Sequence, residues 1–154
     1  MLKQFESLSE DDRQIMMDTI PLVTILIAGA DGEIDKKEKE KATRIQKVRT
    51  YDASKELLPY YKEVGKTFNE RLNDLLAELP AGLDERQQEI SNRLAKLNGV
   101  FTKIDAFYAK SFYESIRSFA EHVAKSSGGI LGFLSVSRAE EDWVRLPMID
   151  EPEV

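Results

Sequence analysis

The sequence predicts an all-α fold in one domain, and two observations carry that prediction. Apolar residues recur at alternating steps of three and four in five separate segments, the repeat of a buried helix face. No segment makes a convincing strand: "GILGFLSV" comes nearest, and its glycines and lack of a pairing partner count against it. With 154 residues, 42% of them hydrophobic, the chain is long enough to bury a real core and too apolar to be disordered.

In chain order, the first helix carries Met16, Ile20, Val23 and Ile27, with Ser9 and Asp12 as its N-terminal cap. Pro21 lies inside it, where a missing N–H and a bulky ring predict a kink or a break. Gly32 is placed to end it in a left-handed conformation. The second helix starts at Asp35, and Glu38 three positions on completes a capping box. It runs to about Arg49, its lysines and glutamates alternating along an exposed face.

Tyr61, Val64, Phe68, Leu72, Leu75 and Leu79 mark the third helix, which stops at "LPAGLD", where Asp84 begins the next. The fourth carries Ile90, Leu94, Leu97, Phe101 and Ile104. The fifth, capped by Asp105, carries Tyr108, Phe112, Ile116, Phe119 and Val123. "SSGGILGFLSVS", residues 126–137, reads as a connector, and Ser137 with Glu140 as a capping box for a short terminal helix over 138–148. The domain is then 1–148, and "IDEPEV", 149–154, is an acidic tail expected to fray. Ile27, Leu94, Leu97, Phe112, Ile116 and Phe119 hold the central steps of their stripes and are the expected core.

Composition narrows the function. A net charge of −6 and a pI near 5.0 argue against an electrostatic nucleic-acid binder. The absence of cysteine excludes a disulfide scaffold, a thiolate nucleophile and cysteine-based zinc sites, and fits a cytoplasmic protein. The N-terminus lacks the apolar run of a signal peptide. The longest apolar stretch, Ile20 to Ala30, is about half of a membrane span. His122, the one histidine, falls near a helix C-terminus, where a cation suits the helix dipole. No serine lies in a G-x-S-x-G elbow, and Gly128, Gly129 and Gly132 lack the spacing of a phosphate loop. Phe107 and Tyr113 lie off the main aromatic stripe, where exposure is expected.

The stretch "IAGADGEIDKKEKEKA", residues 27–42, supplies the candidate site. Asp31, Glu33, Asp35 and Glu38 gather four carboxylates beside a flexible glycine, the oxygen chemistry that holds Ca²⁺ or Mg²⁺. The spacing does not fit an EF-hand, because Gly32 directly follows the first aspartate. A second reading needs no ion: Gly32 ends a helix, Asp35 and Glu38 cap the next, and Asp31 and Glu33 are solvated acids favoured by the helix dipole. If an ion binds, Asp31 and Glu38 are its expected main ligands.

Ala28-Gly29-Ala30-Asp31-Gly32-Glu33-Ile34 with Glu38 resembles the A-x-A-D-G-x-[IVL]-x(3)-E signature of the tellurite-resistance TerB-like family. "SSGGILGFLSVSRAEE" is similar to the small-residue connector, ending in S-x-x-E, near the C-terminus of many members. The resemblance implies a compact bundle of pseudo-twofold helix–turn–helix pairs. It also implies a role in tellurite and other chemical stress, divalent-metal binding through the acidic turn, and partners that include membrane-associated protein complexes. It places Asp31 on the signature aspartate and Glu38 on the signature glutamate. Where members often repeat the acidic turn, this chain has Asn98-Gly99-Val100-Phe101, so a second acidic site is not expected. Internally, a shift of 70 residues sets Ile20, Gly29, Ile34 and Asp35 on Ile90, Gly99, Ile104 and Asp105, a weak repeat in which only the first half is acidic.

The expectation is therefore a non-enzymatic helical module acting by protein contacts, with a divalent cation at the acidic turn. The alternatives are a metal-dependent hydrolase built on the carboxylates, which requires an open coordination position beside a base, or an interaction domain with no ion.

Overall fold

The computed structural model describes residues 2–30, 32–127 and 138–154, and these are helical with no strand among them. A 3₁₀ turn (Lys3–Phe5) leads into α1 (Glu10–Ala28), α2 (Lys36–Asp52), α3 (Leu58–Glu78) and α4 (Leu83–Ala95). A single turn, α5 (Leu97–Val100), and a 3₁₀ turn (Phe101–Lys103) then lead to α6 (Ala106–Ser127), and α7 (Arg138–Val144) follows. The connector lies outside the described residues from position 128 on, as does Ser137 of the expected terminal capping box.

The architecture is organised around α1, which touches every other α-helix. From Asp18 to Ala28 each of its residues is buried, so this half of the helix has no solvent face. That differs from the single stripe expected. A helix apolar all round belongs in the centre of a bundle, and the run Leu22, Val23, Ile25, Leu26 and Ile27 meets that condition.

Pro21 does not break the helix: α1 is continuous from Glu10 to Ala28 with the proline inside it. Side chains supply extra bonds on both sides of that point. Thr19 and Thr24 hydroxyls donate to the Ile15 and Ile20 carbonyls at 2.8 and 2.9 Å, and the buried Tyr60 hydroxyl donates to the Met16 carbonyl at 2.6 Å. The bond from α3 ties the proline-containing segment to its neighbour. Packing on every side removes the solvent face toward which such a helix would open.

The expected core residues Ile27, Leu94, Leu97, Phe112, Ile116 and Phe119 are all buried. Phe112 sits at the centre of an edge-on aromatic cluster, its ring 4.9 Å from Tyr60 and 5.9 Å from Phe101. Tyr113 turns inward, whereas Phe107 stays 71% exposed. The expected fourth helix is interrupted: α4 stops at Ala95 and the chain advances through α5 and the 3₁₀ turn. Asn98 and Gly99 are poor helix formers, and the side chains Leu94, Leu97 and Phe101 keep facing the core across the irregular backbone.

The C-terminal tail is tied down rather than frayed. Leu146 adopts a left-handed conformation (φ 51°) after α7, and it is completely buried, as is most of Ile149. The Asn98 amide reads the backbone beyond it, donating Nδ2 to the Met148 carbonyl at 3.0 Å and accepting the Asp150 N–H at 2.8 Å. Lys110 pairs with Glu151 at 2.9 Å.

Candidate functional site

The acidic turn joins α1 to α2. Helix α1 ends at Ala28, earlier than expected, with the Gly29 N–H bonded to the Ile25 carbonyl at 3.0 Å. Gly32 takes φ 123°, a conformation open to glycine, and its N–H returns to the Gly29 carbonyl at 2.9 Å. Asp35 is the N-cap of α2. Its Oδ1 accepts the Glu38 N–H at 2.7 Å, and the Glu38 carboxylate reaches back to the Asp35 N–H at 3.5 Å.

Glu33 is exposed, and Asp31 lies outside the described residues. Among the described residues no three carboxylate or imidazole groups stand close enough together to hold an ion.

The turn also contains a residue the sequence reading did not single out. Arg86, on the first turn of α4, is only 8% exposed, and its Nη2 donates to the Gly29 carbonyl at 2.7 Å and to the Gly32 carbonyl at 3.0 Å. These two backbone oxygens of the turn therefore face a fixed guanidinium charge. A Cβ on Gly29 would come within 2.7 Å of Arg86 Nη2 and 2.6 Å of the Ile25 carbonyl oxygen, so glycine is required for the close approach. A signal for Arg86 was present: it precedes Ile90 by one helical step, a charged residue on the buried stripe.

Of the described carboxylates, Asp35 and Glu38 cap α2 and Glu33 is exposed. Asp35 is engaged with a backbone N–H, and a second cation would meet repulsion from Arg86.

The second half repeats the cap without the acids. Asp105 Oδ2 accepts the Tyr108 N–H at 2.9 Å, three residues on, as Asp35 accepts that of Glu38. A Cβ on Gly99 would meet nothing within 4 Å, so the glycine that Arg86 makes necessary in the first turn is unconstrained in the second.

Elsewhere, buried polar groups close on one another. Asp18 is held by Arg71 through two bonds, Nε to Oδ1 at 2.8 Å and Nη2 to Oδ2 at 2.9 Å, with Gln14 donating at 2.9 Å. These residues line an open cleft of about 660 Å³ in which Arg93 also pairs with Glu89. Burial raises the pKa of Tyr60, Tyr61 and Tyr108 above the usual phenol range. His122 is exposed, its Nδ1 3.5 Å from Arg49 Nη2.

Fold and site together define an all-helical bundle whose charged buried groups serve as caps and cross-links. Comparison with family models, with curated proteins and with solved structures gave no match. No helix among the described residues is long and apolar enough to cross a membrane.

Proposed function

We propose that the protein is a non-enzymatic helical module of the TerB-like, stress-associated type, working in the cytoplasm through contacts with other proteins. The observation that carries this reading is the use made of the acidic turn. Asp35 and Glu38 bond each other's backbone N–H groups, and Arg86 donates to the Gly29 and Gly32 carbonyls, so this chemistry supports folding. The surface features left for function include large apolar side chains. Tyr51 is 77% exposed, Phe107 71% and Val48 48% on a rigid helical frame, a pattern suited to binding rather than to bond cleavage.

Two measurements test the proposal. The first is hydrolysis of p-nitrophenyl phosphate and p-nitrophenyl acetate with millimolar Mg²⁺ or Mn²⁺. No turnover above buffer is expected, and turnover abolished by Asp31→Asn would establish the hydrolase instead. The second is a thermal melt series with Ca²⁺, Mg²⁺ and Mn²⁺ on wild type and Asp31→Asn. Ion binding to the folded state alone would raise Tm with concentration. The expected result is no ion-specific shift, or the same shift in both proteins; a shift lost in the variant would restore the turn as a metal site.

A further inference from the structure

The charge of this molecule is unevenly divided. Helix α2 carries seven lysines and arginines against three acids, a net +4. Since the whole chain carries −6, everything outside α2 sums to −10. None of the seven basic residues of α2 forms an ion pair among the described residues.

Four of these charges border a groove. On the outer face between α2 and α3, two adjoining clefts of about 370 and 470 Å³ share Thr43 and Asn69, whose side chains bond at 2.7 Å to form the saddle between them. One cleft is walled by Lys36, Lys39 and Arg44, the other by Lys47, Lys62 and Lys66, with Glu40 the one acid lining either cleft; Lys66 is paired with Glu63 at 2.9 Å, beside the second cleft. Lys36, Arg44, Lys47 and Lys62 are exposed, and their side-chain nitrogens make no hydrogen bond or ion pair among the described residues. Gly65 keeps the floor of the second cleft low: a Cβ there would press to 3.2 Å on the Gln46 amide, which is fixed by its bond to the Tyr61 carbonyl at 2.7 Å. Tyr51 stands at the far end as an exposed aromatic wall.

We propose that the α2–α3 groove is the docking site for an acidic segment of a partner protein. The inference rests on the interaction-module reading and names the chemistry of the partner. Unpaired cations at both walls of a concave groove lose little by meeting carboxylates, and on an otherwise acidic molecule they steer an acidic partner to this face. From Lys36 to Tyr51 the groove follows α2 for about 22 Å, the length of roughly fifteen helical residues or seven extended ones. Gly65 and the Tyr51 ring give such a segment a place for one apolar anchor. A membrane surface would call for basic groups on a broad face, and a nucleic acid for a basic surface around the groove as well as in it. Here they line a narrow channel on a protein whose remaining surface repels polyanions.

The test is panning of a random twelve-residue phage library on the intact protein. Fluorescence anisotropy then follows with the enriched peptides, anionic phosphatidylserine vesicles and a 20-nucleotide DNA strand. Enriched peptides should be rich in aspartate and glutamate, with an aromatic or aliphatic residue among them. Their affinity should fall at least tenfold in Lys47→Glu/Lys62→Glu and be unchanged in Lys96→Glu, an exposed position outside the groove. It should also fall severalfold between 0.1 and 0.5 M salt. Matching far-UV circular dichroism and melts establish that the double variant folds.

Failure to enrich peptides, enrichment without acidic bias, or acidic peptides that bind the double variant normally would each overturn the groove assignment. Binding to vesicles or DNA with no peptide binding would overturn it as well. Peptides that survive the charge reversal would remove the groove while leaving a protein-binding module. Metal-dependent turnover in the hydrolysis assay would remove the module reading itself.

Discussion

Arg86 Nη2 lies 2.7 Å from the Gly29 carbonyl oxygen, across 57 residues of sequence, and this bond fixes how α4 meets the turn between α1 and α2. The same nitrogen bonds Gly32, so one side chain holds two backbone acceptors. Arg86→Met keeps much of the apolar stem and removes the donors, leaving the Gly32 carbonyl unmet and the Gly29 carbonyl with the Gly32 N–H alone. The expected loss is about 2–3 kcal/mol in urea-induced unfolding. A loss below about 0.5 kcal/mol would mean that water replaces the guanidinium without penalty.

Gly29→Ala should be at least as damaging, although the substitution is small. The new methyl would overlap the Ile25 carbonyl oxygen at 2.6 Å, a backbone atom inside α1 that has no free direction to move. Gly99→Ala, at the corresponding place in the second half, meets open space and should be neutral or slightly stabilising through its better helix propensity. Comparing the two melts isolates the close packing of Ile25 and Arg86 around Gly29. Equal effects at both glycines would show that the close approach at Gly29 is relieved without cost.

The elements were legible because their signals are local. The Asp35–Glu38 capping box, the Asp105 cap and the stripe Tyr61 to Leu75 appear within a few residues of each other in sequence and in space. The long-range pairings were not legible. Nothing beside Arg86 names Gly29 as its acceptor, and nothing beside Asp18 names Arg71. A charged residue on an apolar stripe announces a buried partner without saying which one. The depth of α1 was partly visible in its unbroken apolar run, but a stripe reading assigns one face to solvent, and only the packing of neighbours on all sides removes that face. The expected fraying of 149–154 followed from the tail's acidity and missed Asn98, whose amide is a backbone clamp only once the chain has folded back to it.

Phe112→Ala should cost about 3–5 kcal/mol, since the side chain is 1% exposed and its removal leaves a cavity among Tyr60, Phe101 and Tyr108. The measurement is chemical denaturation with the slope checked for two-state behaviour. Phe107→Ala, at the exposed end of the same helix, should change stability by less than about 0.5 kcal/mol. A large effect at Phe107 would place that ring in an interface.

Asn98→Ala removes both bonds to the tail and should release it. A loss of about 1–3 kcal/mol is expected, together with faster cleavage by carboxypeptidase or thermolysin between residues 146 and 154. Unchanged proteolysis would show that burial of Leu146 and Ile149 holds the tail without the clamp.

The last prediction concerns acid. Asp12 lies in the first turn of α1, and Lys103 Nζ reaches its Oδ2 at 2.7 Å from the 3₁₀ turn ahead of α6. The bond from Lys103 holds the Asp12 carboxyl below its ordinary pKa, with the Ser9 hydroxyl adding a smaller effect. A carboxylate whose folded pKa is depressed favours folding at every pH above its unfolded value, about 3.9. That contribution is lost as the pH falls through the folded pKa, because the unfolded state then binds the proton first. Lys103→Met should therefore be less stable than wild type by a constant margin from pH 7 to about pH 5. The margin should narrow as the pH falls below about 4. The charged ends are solvent-accessible, so the margin should be small and should shrink in 0.5 M salt. Urea midpoints measured across that pH range decide the matter. A margin that stays constant down to pH 2.5 would assign the effect to packing of the lysine stem, and a margin that widens in acid would reverse the sign of the argument.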